Sequence, residues 1–390
     1  MSSPSLKERL TLALLRGLLH WKSSPARVRR YLSRQSYLPG PKGQEPKWDG
    51  VREPGLPERP GAGAGQAGRG ANRIRVAAVQ MRLELAKSAE DYAAKIYALT
   101  RQAVEQGAQL VAFPEDSGTG LLELIPGIEE MAAGANLGSG GDIGGGLQVK
   151  DVFALLAPFV ERVYTTTFSE LARRWGIYIA TGSAILLRDQ KAQDGQIVNR
   201  AYFFGPKGEV LGTQDKCHLF PMECGWGLTP GNDIKVFPTS WGKVAIPICM
   251  DATYFETFRI ASLLGADIVI IPSANPEAYN FWRELRGIWP RVQESEVYGI
   301  NSFMVGEFLG LTLTGRSGIF APMELTPGGD GVLARAQSPT EETVVVADLD
   351  LTALRRHRVK SGLRTGFNQA LYERYFPDLY RSYLERRSTG

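Results

Sequence analysis

The sequence predicts an α/β protein in which two sheets pack face to face, each covered on its outer side by helices. From Arg73 onward, short β-type runs alternate with amphipathic stretches of helical length, the pattern of helices layered on sheets. Several runs switch between apolar and polar at every second residue, which suits strands with one buried face better than strands buried on both. The chain has 390 residues, 43% of them apolar and 22% charged, so it has enough apolar side chains for a large core.

A basic extension comes first. Residues 5–22 read SLKERLTLALLRGLLHWK and place Leu6, Leu10, Ala13, Leu14, Leu18 and Trp21 at helical spacing on one side. Residues 1–70 hold 13 Lys and Arg against 5 Asp and Glu, a local excess of +8; the whole chain is +4, which leaves the remainder at −4. The expected partner of this helix is its own domain or a sister subunit. Contact of residues 5–34 with an anionic membrane surface is the alternative. Arg27, Arg29, Arg30 and Arg34 cluster without a recognition motif, so no nucleic-acid partner is expected. Residues 39–72 are dominated by Pro, Gly and charge and read as a linker. The expected division is therefore a basic extension at 1–38, the linker, a domain at 73–350 and a helical tail at 351–390. The tail's aromatic stretch from Tyr372 to Tyr383 suits a subunit contact.

Within the domain the strand candidates are IRVAAVQM, AQLVAFPE, IYIATGSAI, AYFFGP, KVAIPIC, ADIVIIPS, NSFMVGEF, GIFAP and TVVVADLD. Helical patterns occupy 88–106, 162–175, 254–264 and 289–298. The segment 133–146, AGANLGSGGDIGGG, is glycine-rich but lacks a phosphate-binding spacing and reads as a loop or lid. No run approaches the roughly 18 apolar residues of a membrane span. Three cysteines, an odd number without a secretory cleavage site, point to a reducing, cytoplasmic setting. The three histidines, His20, His218 and His357, have no partners at metal-ligand spacing, so neither metal nor cofactor is expected.

Three segments carry chemistry. In LVAFPE a buried-type strand runs into a proline and then Glu115 at its end, where rigid elements commonly hold functional groups. In GTQDKCHLFPMECGWGLTPG, Lys216 and Glu223 stand among Leu219, Phe220 and Trp226, an apolar neighbourhood for surface charge. In WGKVAIPICMDATYFETFR an apolar strand delivers Cys249 to a corner before a helix, where the N-terminal field is expected to favour the thiolate. Cys217 and Cys224 leave no strand and read as packing or pocket-wall residues.

Together these segments resemble the nitrilase superfamily of carbon-nitrogen hydrolases from about residue 73 to 350. The markers are VAAVQ (76–80), F-P-E, Gly182-Ser183 after a strand, D-K-x-H-L-x-P, I-C-x-D with a later F-E, and G-A-D-I-V-I-I-P-S. The resemblance implies a four-layer α-β-β-α sandwich of two mixed sheets and a homodimer or larger homo-oligomer. It makes Glu115 the general base, Lys216 the oxyanion-stabilising cation and Cys249 the nucleophile. Glu223 orients Lys216 or water, and the N–H of Met250 is a second oxyanion donor.

This implies hydrolysis of a small amide-like substrate through a thioester on Cys249. Nitrile-cleaving members usually follow the cysteine with Trp-Glu, whereas here Met250-Asp251 follow, so amide or carbamoyl substrates are favoured over nitriles. The arginines that carbamoyl-amino-acid hydrolases often carry after the cysteine are replaced by Ala252, Thr253 and Tyr254. Tyr254, Asn275, Trp226 and Trp282 are the expected substrate contacts, and Glu256 is expected to pair with Arg259. Acyl transfer on the same fold and a non-enzymatic scaffold are the rival readings, the second opposed by the presence of all three catalytic residue types.

Overall fold

The structure, a computed structural model, describes residues 17–35, 72–125, 142–144, 147–191, 195–285, 287–308, 310–363 and 366–388. Fourteen strands join in one mixed sheet. The sequence reading separates the strands into two sheets; here the two halves are connected at one point. The two longest strands, Arg73–Arg82 and Tyr298–Phe308, reach past the rest and pair in parallel at Met81 with Met304 and Arg82 with Val305.

Alternation sets what each half buries. Along the first strand Ile74, Val76 and Ala78 face Val244, Ile268, Ile270 and Ile300 of the other half in one core. Ala77 and Val79 face the opposite way, onto Tyr92 and Ile96 of the helix Ala89–Glu105 and Phe168 and Leu171 of the helix Val149–Trp175. On the far side Ala245, Val269 and Ile271 pack against Phe258 and Ala261 of the helix Phe255–Leu263 and Val292 of the helix Ile288–Ser295. The strand Thr343–Asp350 zips antiparallel along the first strand from Arg73–Asp350 to Gln80–Thr343. Its Asp350 then caps the helix Leu351–Lys360 through the N–H of Ala353 at 2.9 Å, and Leu351 and Leu354 are fully buried in the first core.

Of the helix expected at 5–22, residues up to 16 lie outside the described residues; 17–22 are helical, with Leu19 buried. The following helix, Pro25–Arg34, starts on a proline at its first turn and buries Val28 and Leu32. Arg27 pairs with Glu90 and Arg29 with Glu170, and Arg174 donates to the carbonyls of Leu32 and Gln35. Its contacts are thus with the helices of its own domain. The linker, apart from Asn72, and most of the glycine-rich segment lie outside the described residues. No helix among the described residues is long and apolar enough to cross a membrane.

At the C-terminus the helix Gln369–Ser388 folds back on the domain. Phe376 lies against Phe255 and the Tyr380 hydroxyl donates to Glu256, while Arg259 sits over the Phe367 ring at 5.3 Å. The expected Glu256–Arg259 pair is therefore absent, because each side chain is engaged by the C-terminal segment instead.

Candidate active site

Four charged or polar groups from distant parts of the chain meet at one point. Glu115 follows the strand Leu110–Ala112 and is only 2% exposed. Its Oε1 accepts from Lys216 Nζ at 2.8 Å and from Asn199 Nδ2 at 3.0 Å; its Oε2 accepts from the N–H of Ala274 at 2.9 Å. Lys216 follows the strand Val210–Asp215, where its backbone N–H is held by the carbonyl of Asn199 on the neighbouring strand. The same ammonium lies 2.6 Å from Glu223 Oε2, which also accepts the N–H of Phe220 at 2.7 Å. Glu223 belongs to the short helix Pro221–Gly225, and its other oxygen takes Asn199 Nδ2 at 2.9 Å. One cation and one amide thus bridge two buried carboxylates.

Cys249 closes the set. Its φ of +46° lies in the left-handed region, which a side chain with a Cβ rarely adopts and which typically costs about 1–3 kcal/mol. The buried carboxylate of Asp251 stabilises that corner by accepting the N–H of Ile248 at 2.8 Å and of His218 at 2.7 Å, and His218 Nδ1 at 2.7 Å. The N–H of Cys217 also points to it at 3.2 Å. Asp251 therefore ties the loop after Lys216 to the loop of Cys249 and sets the distance between cation and thiol. The thiol lines the same cavity as Glu115 and Lys216, and Sγ is 3.9 Å from Asn275 Oδ1.

Burial pushes the Cys249 thiol well above its ordinary value, the Glu115 carboxylate pushes it further, and Lys216 opposes both. The helix field expected to favour the thiolate is weak at this corner. Cys249–Thr253 is one 3-10 turn, the α-helix starts only at Phe255, and desolvation outweighs the weak field of a single turn. Burial also raises Glu115 against the pull of Lys216. Desolvation alone would lower the Lys216 ammonium, but Glu115, Cys249 and Glu223 together raise it well above the usual lysine range.

These groups form the floor of a cavity of about 170 Å³. Met250, Trp226 and Asn275 are among its lining residues, with the Phe153 ring tilted against Trp226 at 5.8 Å between centroids. Tyr254 and Trp282 are not. The Tyr254 ring is 40% exposed and stacks on His218 at 4.1 Å, outside the cavity. Trp282 is 75% exposed, because the helix Phe281–Leu285 turns Arg283 and Glu284 to the cavity instead. Cys217 and Cys224 also lie off the lining. Cys217 is half-buried, its thiol pushed up to about 12 by burial and Asp251, and Cys224 is exposed.

Asn199, the bridging role of Asp251 and the N–H of Ala274 are missed by sequence reasoning. A signal existed for the first: an uncharged polar residue beside Arg200 in the mostly apolar run IVNRAYFF, nearly all of which the strand buries.

The sequence model of the family described as carbon-nitrogen hydrolase matches residues 75–359. Nitrilase of Pyrococcus abyssi is 31% identical over 305 residues, covering 78% of this chain and 99% of that protein. Probable hydrolase YhcX of Bacillus subtilis is 33% identical over 207 residues, 52% of this chain, and the chain spans only 39% of that relative's length. Omega-amidase NIT2 of Danio rerio is 26% identical, over 73% of this chain and 90% of its own. Among solved structures, the carbon-nitrogen hydrolase from Helicobacter pylori G27 superposes with a TM-score of 0.60 at 20% identity, covering 79% of this chain and 98% of that one, a likeness of fold. The matched span and the nearly full-length relative place this chain in the carbon-nitrogen hydrolase family of the nitrilase superfamily.

Proposed function

We propose that the protein hydrolyses an amide or carbamoyl carbon-nitrogen bond through a thioester on Cys249. The observation that carries this reading is the convergence of the Glu115 carboxylate, the Lys216 ammonium and the Cys249 thiol on the floor of one cavity.

On this reading Glu115 takes the thiol proton as Cys249 Sγ forms a bond to the carbonyl carbon. The carbonyl π electrons move onto oxygen, where Lys216 and the N–H of Met250 stabilise the charge. Such donors typically contribute about 3–4 kcal/mol each. Protonated Glu115 returns its proton to the nitrogen, the carbon-nitrogen bond breaks, and ammonia or an amine leaves. Glu115 then deprotonates a water that attacks the thioester; the acid departs and the thiol is restored. Glu223 and Asn199 position Lys216 and Glu115. The resting thiol is protonated, which makes an adjacent base necessary.

Omega-amidase NIT2 among the relatives and the Cys249-Met250-Asp251 sequence both favour an amide over a nitrile, while Nitrilase of Pyrococcus abyssi keeps nitriles in the test. We read the two packed sheet halves with helices on both outer sides as the family's four-layer sandwich, and propose a cytoplasmic homodimer or larger homo-oligomer. The test is ammonia release from short amides, ureido compounds and nitriles, with Cys249→Ala as blank, and mass spectrometry for an acylated Cys249. Ammonia release that survives in the blank would remove the assignment.

A further inference from the structure

The cavity lining carries charge that the proposed chemistry leaves unused. Its lining holds the carboxyls of Asp116, Glu277 and Glu284 besides Glu115 and Glu223, against the cations Lys216 and Arg283 among the described residues. Lys216 is occupied by Glu115 and Glu223, and Arg283 by Glu277. The lining is therefore acidic in excess and opposes a substrate carboxylate.

Glu284 is the group whose geometry is most specific. Its side chain is 7% exposed, and Oε1 accepts from Arg335 at 2.9 Å. Its other oxygen, Oε2, is buried without a hydrogen-bond partner among the described residues. A recess of about 20 Å³ shares Asn275, Glu277, Arg283 and Glu284 with the main cavity, and Asn275 is the residue 3.9 Å from Cys249 Sγ. The recess thus begins beside the thiol. Arg335, Tyr279 and Arg316 face the Glu284 carboxyl from the surrounding elements; burial raises it and these three draw it back. A buried carboxylate oxygen without a donor is unfavourable, and a donor carrying positive charge is the partner that relieves it most.

We infer that Glu284 Oε2 determines specificity by holding a cationic, N–H-donating group at the end of the substrate remote from the scissile amide. The substrate class is then an amide bearing an ammonium or guanidinium, not an amide bearing a second acid. This inference rests on the proposed hydrolase activity. A carboxyl that served only the Arg335 ion pair would show no such preference.

The experiment compares 5-aminopentanamide with hexanamide, which has the same number of heavy atoms and no charge, in the native protein and in Glu284→Gln. Glutamine keeps the size and an acceptor for Arg335. The native ratio of kcat/KM, ammonium-ended over methyl-ended, is expected to exceed about tenfold and to fall by about tenfold or more in the variant. A native preference for hexanamide or for 4-carbamoylbutanoate, or a ratio that survives the substitution, overturns the inference. If native protein turns over no amide, the hydrolase reading fails separately, and the anchor is read without turnover or mutation by protection of Cys249 from iodoacetamide. Protection by pentylammonium but not by 1-pentanol or pentanoate supports the anchor; equal protection by all three, or by pentanoate alone, overturns it.

Discussion

Replacing Asn199 by Ala deletes the one amide that touches both carboxylates. Its Nδ2 donates at 3.0 Å to Glu115 and at 2.9 Å to Glu223, while its own Oδ1 is buried with no partner among the described residues. The substitution therefore removes two donated bonds and leaves no new donor unpaired. A hydrogen bond to an ionised group contributes about 1.5–3 kcal/mol, and two bonds from one nitrogen argue for the lower end for each. Since about 1.4 kcal/mol corresponds to one pKa unit, Glu115 should rise by roughly one unit. The direction follows because the lost donor favoured the ionised form, and burial already holds this carboxyl above its ordinary value. A base must be ionised to accept the thiol proton, so the acidic limb of kcat/KM moves up by about the same amount. The assay is ammonia release between pH 5 and 9 on any amide the panel identifies, native against Asn199→Ala, with melting followed in parallel. A variant whose rate drops equally at every pH, with the limb unmoved, refutes the role of Glu115 as base.

Lys216→Met should abolish turnover and destabilise the fold by about 3–5 kcal/mol, since it strands Glu115 and Glu223 in a buried site without their cation. The Glu115 carboxyl, raised by burial and no longer drawn down by Lys216, then titrates still further above its unfolded value, so the gap to native is largest at neutral and higher pH and narrows on acidification; melting curves from pH 5 to 8 check the sign. Asp251→Asn replaces an acceptor oxygen by an amide that faces backbone N–H groups, and should lose about 2 kcal/mol or more in denaturant titration together with turnover. Limited alkylation near pH 8 followed by peptide mapping should label exposed Cys224 and spare Cys217, whose thiol stands near 12; early labelling of Cys217 contradicts its packing.

What could be read from the chain divides along local and non-local lines. Glu115 and Cys249 were legible because each follows an apolar strand, and Lys216 because it stands in a short apolar neighbourhood, features of a few consecutive residues. Asn199 was not, since what distinguishes it is contact with residues 84 and 24 positions away. Tyr254 and Trp282 were placed in the pocket by closeness in sequence, but a turn and a helix carry their rings away from it. The weakness of the helix field at Cys249 was hidden for a different reason: sequence shows that a helix follows the cysteine, but not that a 3-10 turn intervenes. The join between the two sheet halves depends on two residue pairs at strand tips, below what periodicity can register.

Charge conservation in the cluster explains why a high thiol pKa is compatible with the proposed nucleophile. At rest the site holds two carboxylates, one ammonium and a neutral thiol, a total of −1. Free ionisation of Cys249 to solvent would raise this to −2 inside a desolvated pocket, which burial and Glu115 both oppose. Transfer of the same proton to Glu115 leaves the total at −1 and places the new negative charge on sulfur while Lys216 remains beside Glu223. The ammonium is then relieved of one of its two carboxylate partners at the step when charge begins to develop on the substrate oxygen. On this argument Glu223 is needed because Lys216 must stay protonated and fixed after Glu115 has been neutralised, and shortening it by Glu223→Asp should depress kcat more than it raises KM.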